Sequence, residues 1–223
     1  MNIKSKFVNK ILYFITNIPK RIYWRTKNTI LKWRGCDFSD FRDPSFGFDI
    51  GYTYRPSPIK EFQFIMRKVD REYLPIDQTA FFDAGRGKGA TLIEAMKIGI
   101  PIVRGVELSE PMYEICCKNL KILGREREST RLYQANAATL TEELDYFNLF
   151  FLFNPFPEVV LKQYALNIID SAKRKPRKII IVYRHATLHH VLEELGFSLL
   201  YNCQVTERFR PDNISYDKIY SLK

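Results

Sequence analysis

At 223 residues the chain is long enough to bury one sizeable core, and an apolar content of 46% is that of a globular domain. No apolar run approaches the roughly 18–20 residues needed to span a bilayer, and the four cysteines (Cys36, Cys116, Cys117, Cys203) show neither metal-ligand nor disulfide-framework spacing. The net charge of +10 is concentrated at one end: residues 1–36 carry nine Lys or Arg and no acid, against 26 basic and 25 acidic residues in 37–223.

That basic stretch is also amphipathic at helical period. Phe7, Ile11, Phe14, Ile15, Ile18 and Ile22 share one face, with Lys6, Lys10 and Arg21 near its edges, and Pro19 divides the segment. An α-helical N-terminal extension over 1–45 is therefore expected ahead of a domain over 46–223. Three roles compete for it: docking on its own domain, lying in a membrane interface, or tracking nucleic-acid phosphates. Trp24 and Trp33 beside Lys and Arg suit a membrane boundary. A face so rich in Ile, Leu and Phe ranks peripheral membrane contact through 1–36 above nucleic acid. No small-residue cleavage site follows, so the expected location is cytoplasmic, with the inner membrane face as the arm's partner.

Residues 45–58 mix glycines, prolines and aromatics, which marks an ordered irregular segment, and a helix is expected to begin near Ile59. Strands are expected at 80–84, 102–107, 130–134, 148–154 and 178–184. Helices are expected near 89–98, 110–123, 157–171 and 187–195, with Ser109 as the N-cap of the second. Two closing strands near 198–208 and 215–222 are separated by the turn-like Pro211-Asp212-Asn213. The alternation predicts an α/β, doubly wound, mostly parallel seven-stranded sheet.

The chemistry is densest at Phe81-Phe82-Asp83-Ala84-Gly85-Arg86-Gly87-Lys88-Gly89: a short strand, an acid, then three glycines at alternate positions ahead of a helix. Glycines let the backbone turn sharply and lie against a ligand. The next strand ends in Glu107, placed to accept hydrogen bonds from both hydroxyls of a ribose. An adenosine-containing cofactor is implied. The dinucleotide spacing is G-x-G-x-x-G, whereas this chain reads G-x-G-x-G, which disfavours an NAD-dependent oxidoreductase.

That spacing resembles motif I of class I S-adenosylmethionine-dependent methyltransferases, and three further segments follow in the family's order. Gly105-Val106-Glu107-Leu108-Ser109 resembles the ribose-binding motif. Tyr133-Gln134-Ala135-Asn136-Ala137 stands where the family commonly shows Gly-Asp-Ala, with Asn136 in place of the acid. Leu149 to Phe156 ends in Asn154-Pro155-Phe156, resembling the fourth motif. The resemblance covers roughly residues 50–223. It implies a Rossmann-like methyltransferase fold with S-adenosyl-L-methionine as cofactor. Tyr54, Asp83, Ala84, Gly85, Arg86, Gly87, Gly89, Glu107, Leu108, Asn136, Ala137 and Asn154 would contact it, and no metal is implied. A Tyr-x-Pro-Ser-Pro stretch, Tyr54 to Pro58, resembles a segment that folds over the methionine end of the cofactor in some bacterial members, which also nominates Ser57.

Asn154, Pro155 and Phe156 would form the catalytic step, by likeness to the Asn/Asp-Pro-Pro-Tyr/Phe motif of amino-group methyltransferases. There the Asn carbonyl accepts from the target N–H and the ring packs on the substrate; here one proline is missing. The expected reaction is methyl transfer to an amine on a protein or small molecule. The alternatives are O-methylation of a sugar or envelope glycolipid, with His185 as base and Tyr183 lining the pocket, and a non-catalytic cofactor-binding module. The acceptor itself is not identified by the sequence.

Overall fold

The computed structural model describes residues 35–39, 57–126, 130–207 and 210–222, with 205–207 and 210–215 described by backbone alone. The chain divides into two units, Met1–Asp37 and Phe38–Lys223, and the fold below belongs to the second. The expected arm apart from residues 35–39, the 45/46 boundary and Tyr54 lie outside the described residues.

Seven strands form one sheet: β1 (Ala80–Ala84), β2 (Ile102–Glu107), β3 (Leu132–Gln134), β4 (Leu149–Phe153), β5 (Ile180–Arg184), β6 (Ser198–Glu207) and β7 (Arg210–Ser221). Their order is β3-β2-β1-β4-β5-β7-β6. β1 to β5 run parallel, whereas β7 is antiparallel to β5 and β6. The strand order reverses between β1 and β4, and in open α/β sheets ligands bind beyond the carboxyl ends at that switch.

Helices α1 (Ile59–Glu72), α2 (Ala90–Lys97) and α3 (Glu110–Ile122) cover one face; α4 (Glu158–Arg174) and α5 (His189–Glu194) cover the other. The central strands are predominantly apolar because both their faces are buried, with Asp83 on β1 and Arg184 on β5 as charged exceptions. Phe81, Leu149, Phe151, Ile180 and Val182 pack under α1 to α3. Phe82, Phe150, Leu152, Ile181 and Tyr183 pack under α4 and α5. Ser109 caps α3, its hydroxyl accepting from the Met112 N–H. Among the described residues no helix is long and apolar enough to cross a membrane.

One expected boundary differs. β7 begins at Arg210, so Pro211-Asp212-Asn213 lies inside it and not between two strands. The ladder still steps over these residues, pairing Glu207 with Arg210 and Thr206 with Ile214; proline, which lacks an N–H, is tolerated at such an irregularity.

Arg184, fully buried at the end of β5, ties the sheet to the segment ahead of α1. Its guanidinium donates to Asp217 Oδ2 (2.8 Å), Ser57 Oγ (3.0 Å) and the Glu61 carboxylate. Gly105 is a second constraint: a Cβ there would lie 2.7 Å from the Asp83 carbonyl oxygen on β1. Gly105→Ala should therefore force β1 and β2 apart, lowering stability by about 1–3 kcal/mol. Urea denaturation reads this directly, and an unchanged midpoint would contradict the close approach.

Candidate functional site

The glycine loop joins β1 to α2, and all three of its glycines are left-handed: Gly85 (φ 78°), Gly87 (φ 52°) and Gly89 (φ 84°). Space demands glycine at two of them as well. A Cβ on Gly85 would lie 2.5 Å from Pro155 Cβ, and one on Gly89 would lie 2.5 Å from Cys116 Sγ. The Gly85–Pro155 approach matters most, because it sets the loop directly against the Asn154-Pro155-Phe156 step at the end of β4.

β2 holds the loop in shape. Gly85 and Arg86 N–H groups both donate to the Val106 carbonyl (3.1 Å each). Gly87 N–H donates to Glu107 Oε2 (2.8 Å), and Ser109 N–H donates to Glu107 Oε1 (3.0 Å). Glu107 is buried, and each of its oxygens keeps lone pairs for further donors. With Gly89 N–H bonded to the Arg86 carbonyl, four loop amides are committed to the protein. The Glu107 carboxylate, with lone pairs to spare, fits a ligand that lays two hydroxyls on it.

Asp83 and Ala84 end β1 in full burial. The Asp83 carboxylate accepts from the Thr91 hydroxyl. Burial pushes the Asp83 carboxyl up to about 7, against the Thr91 hydrogen bond and the Arg86 charge, which pull it down, while Glu107 pushes it further up. Arg86 does not reach solvent. Its side chain lies beneath the loop against Gly105, its guanidinium over the Tyr113 ring at 5.1 Å. Nη1 donates to the Gly87 carbonyl (3.3 Å), and Nε and Nη2 are buried without a hydrogen-bond partner among the described residues. Asn136 caps the turn 137–139, its Oδ1 accepting from Ala138 N–H (3.0 Å). Ala137 is buried, and Leu108 half-buried beside Glu107. Ser57 is buried on Arg184.

Asn154 (φ 44°) and His185 (φ 47°) are the two non-glycine residues with positive φ among those described, and they sit one residue past the ends of β4 and β5. Backbone strain of this kind, held by surrounding structure, clusters at functional sites. The Asn154 Oδ1 accepts from Tyr183 Oη (2.9 Å) and Thr187 Oγ1 (2.8 Å). The His185 ring lies 5.0 Å from that of Phe153, and the His185 backbone N–H donates to Asp217 Oδ1 (3.1 Å). Phe156 packs edge-on against Tyr164 at 5.8 Å. His189 and His190 face Glu193 and Glu158, and among the described residues no cluster of His, Cys, Asp or Glu could hold a metal ion. Sequence reasoning missed Thr187, Tyr113 and the Arg184 network, none of which carries a local motif.

No family model matches the sequence, and no curated protein matches it. Solved structures match through the fold. The proposed RNA methyltransferase PH1948 of Pyrococcus horikoshii superposes with a TM-score of 0.56 at 12% identity, over 88% of this chain and 94% of that one. The methyltransferase domain of bacterial CtHen1-C gives 0.55 at 14% identity, over 74% and 97%. Magnesium protoporphyrin IX methyltransferase (ChlM) from Synechocystis PCC 6803, with bound SAM, gives 0.51 at 16% identity, over 73% and 77%. The chain has the Rossmann-like methyltransferase fold.

The buried Asp83 gives a pH prediction. An unfolded Asp titrates near ~3.9, and the native state holds this proton more tightly. Its contribution to stability is thus fully present below about pH 4 and lost as pH rises through about 7. Denaturation of wild type and Asp83→Asn at pH 5 and pH 8 should show a smaller loss in the variant. Equal losses would contradict the assignment.

Proposed function

We propose that this protein is an S-adenosylmethionine-dependent methyltransferase. The observation that carries the reading is the meeting of the two halves of such a site at the switch point. The glycine loop, held by Glu107, touches Pro155 of the Asn154-Pro155-Phe156 step. When bound, the cofactor supplies an electrophilic methyl group on a sulfonium sulfur.

In this reading Glu107 takes the ribose hydroxyls, Leu108, Asn136 and Ala137 line the adenine, and Asp83 with the loop shapes the methionine end. Arg86, stacked on Tyr113 beneath the loop, acts as a strut and as a cation beside Asp83 and Glu107. Pro155 and Phe156 wall the crevice and exclude water. Displacement at a sulfonium carbon asks mainly for alignment, which can be worth roughly 7–11 kcal/mol when the reacting atoms are held near contact.

Two acceptor readings follow. Likeness to amino-group methyltransferases favours an amine on a protein or small molecule, held by Asn154. The position of His185 past the end of β5 favours a hydroxyl of a sugar or glycolipid, with the imidazole taking its proton. The basic segment 1–36 would hold such an enzyme at a membrane surface, on the cytoplasmic side.

Glu107→Ala removes the ribose contact and the anchor of Gly87 together. Affinity for S-adenosylhomocysteine should fall by about 1.5–3 kcal/mol, the scale of a charge-assisted hydrogen bond, read by calorimetric titration against wild type. Unchanged affinity would refute the ribose assignment.

A further inference from the structure

The Asn154 side chain bears on which acceptor the crevice takes. Its Oδ1 receives two hydroxyl donors, Tyr183 Oη from the end of β5 and Thr187 Oγ1 from the turn beyond it. An amide oxygen has two lone pairs, so both are filled. The other edge, Nδ2, donates to no protein group among the described residues, and it is not sealed from solvent. The backbone reinforces the arrangement: Asn154 is left-handed at the end of β4, and its neighbour His185 is left-handed at the end of β5. Tyr183 is fully buried and Thr187 exposed, so the two donors grip the amide from below and from the rim.

We infer that Tyr183 and Thr187 are positioning residues that hold the Asn154 amide with Nδ2 toward the crevice, so that the acceptor is met by a hydrogen-bond donor and is an oxygen, of a hydroxyl or a carboxylate. The inference rests on the methyl-transfer reading and chooses between its two acceptors. An amine nitrogen has one lone pair, which must point at the methyl carbon, and its N–H groups then need acceptors. A filled Oδ1 offers none. An oxygen nucleophile attacks with one lone pair and has another to receive Nδ2–H. A carboxylate brings no proton to remove; a hydroxyl proton passes to a base, for which His185, one residue past the strand that pairs with β4, is the candidate.

Hydroxyl groups can meet either edge of an amide, so the experiment reads the edge. In the free, 15N-labelled protein the Asn154 side-chain NH2 pair is identified by its loss in Asn154→Asp. The expected result is exchange with water within about tenfold of an exposed asparagine, since Nδ2 faces solvent. Thr187→Val and Tyr183→Phe should shift the pair, and Thr187→Ser should leave it in place. Protection of a hundredfold or more would put Nδ2 on the hydroxyls and overturn the inference. Acceptor class is then probed with S-adenosylhomocysteine present: butyrate should shift the Asn154 pair and butylammonium should not. A shift with butylammonium, or with neither probe, overturns the oxygen assignment. Failure of S-adenosylhomocysteine to bind would instead remove the methyl-transfer reading, leaving the amide orientation measured on its own.

Discussion

The Glu107 carboxylate is the interaction on which the site depends. One oxygen takes the N–H of Gly87 and the other the N–H of Ser109, so a single buried side chain at the end of β2 fixes the glycine loop and the start of α3 together. Charge-assisted hydrogen bonds of this kind are among the stronger ones a protein makes. The loop can then come close to its neighbours only as glycine allows, with Gly85 against Pro155 and Gly89 against Cys116. The glycine loop after β1 and the Asn154-Pro155-Phe156 step after β4 are thereby brought together.

The sheet makes that meeting possible. β1 and β4 are adjacent and parallel because the strand order reverses between them. Whatever follows β1 must therefore stand beside whatever follows β4. Arg184 does the same work one strand further on, binding β5 to β7 through Asp217 and to the start of α1 through Ser57 and Glu61. The strained pair Asn154 and His185 lies between these two braces. Their left-handed backbones are held from outside: Asn154 by Tyr183 and Thr187, His185 by Asp217.

Much of this was legible in the sequence, for identifiable reasons. Continuous apolar runs such as Leu149–Phe153 announce strands buried on both faces, and glycines at alternate positions after Asp83 announce a turn no other residue could make. Glu107 was legible because its strand ends where the motif's spacing requires. Thr187 was not, since nothing local marks a threonine that reaches 33 positions back to Asn154. Arg184 reads as the polar end of an apolar strand, and its partners lie 33, 123 and 127 positions away. The irregularity at Pro211 was legible, but not that β7 begins before it, at Arg210. The sequence left the direction of the Arg86 side chain open; its guanidinium lies over the Tyr113 ring.

The central claim is that the glycine loop, held by Glu107 and set against Pro155, takes a nucleoside with a short charged tail and not a dinucleotide. Calorimetric titration of the full chain with S-adenosylmethionine and, separately, with NAD tests it most directly. Saturable binding of the first and none of the second is the predicted result. Binding of NAD with no response to S-adenosylmethionine would contradict it.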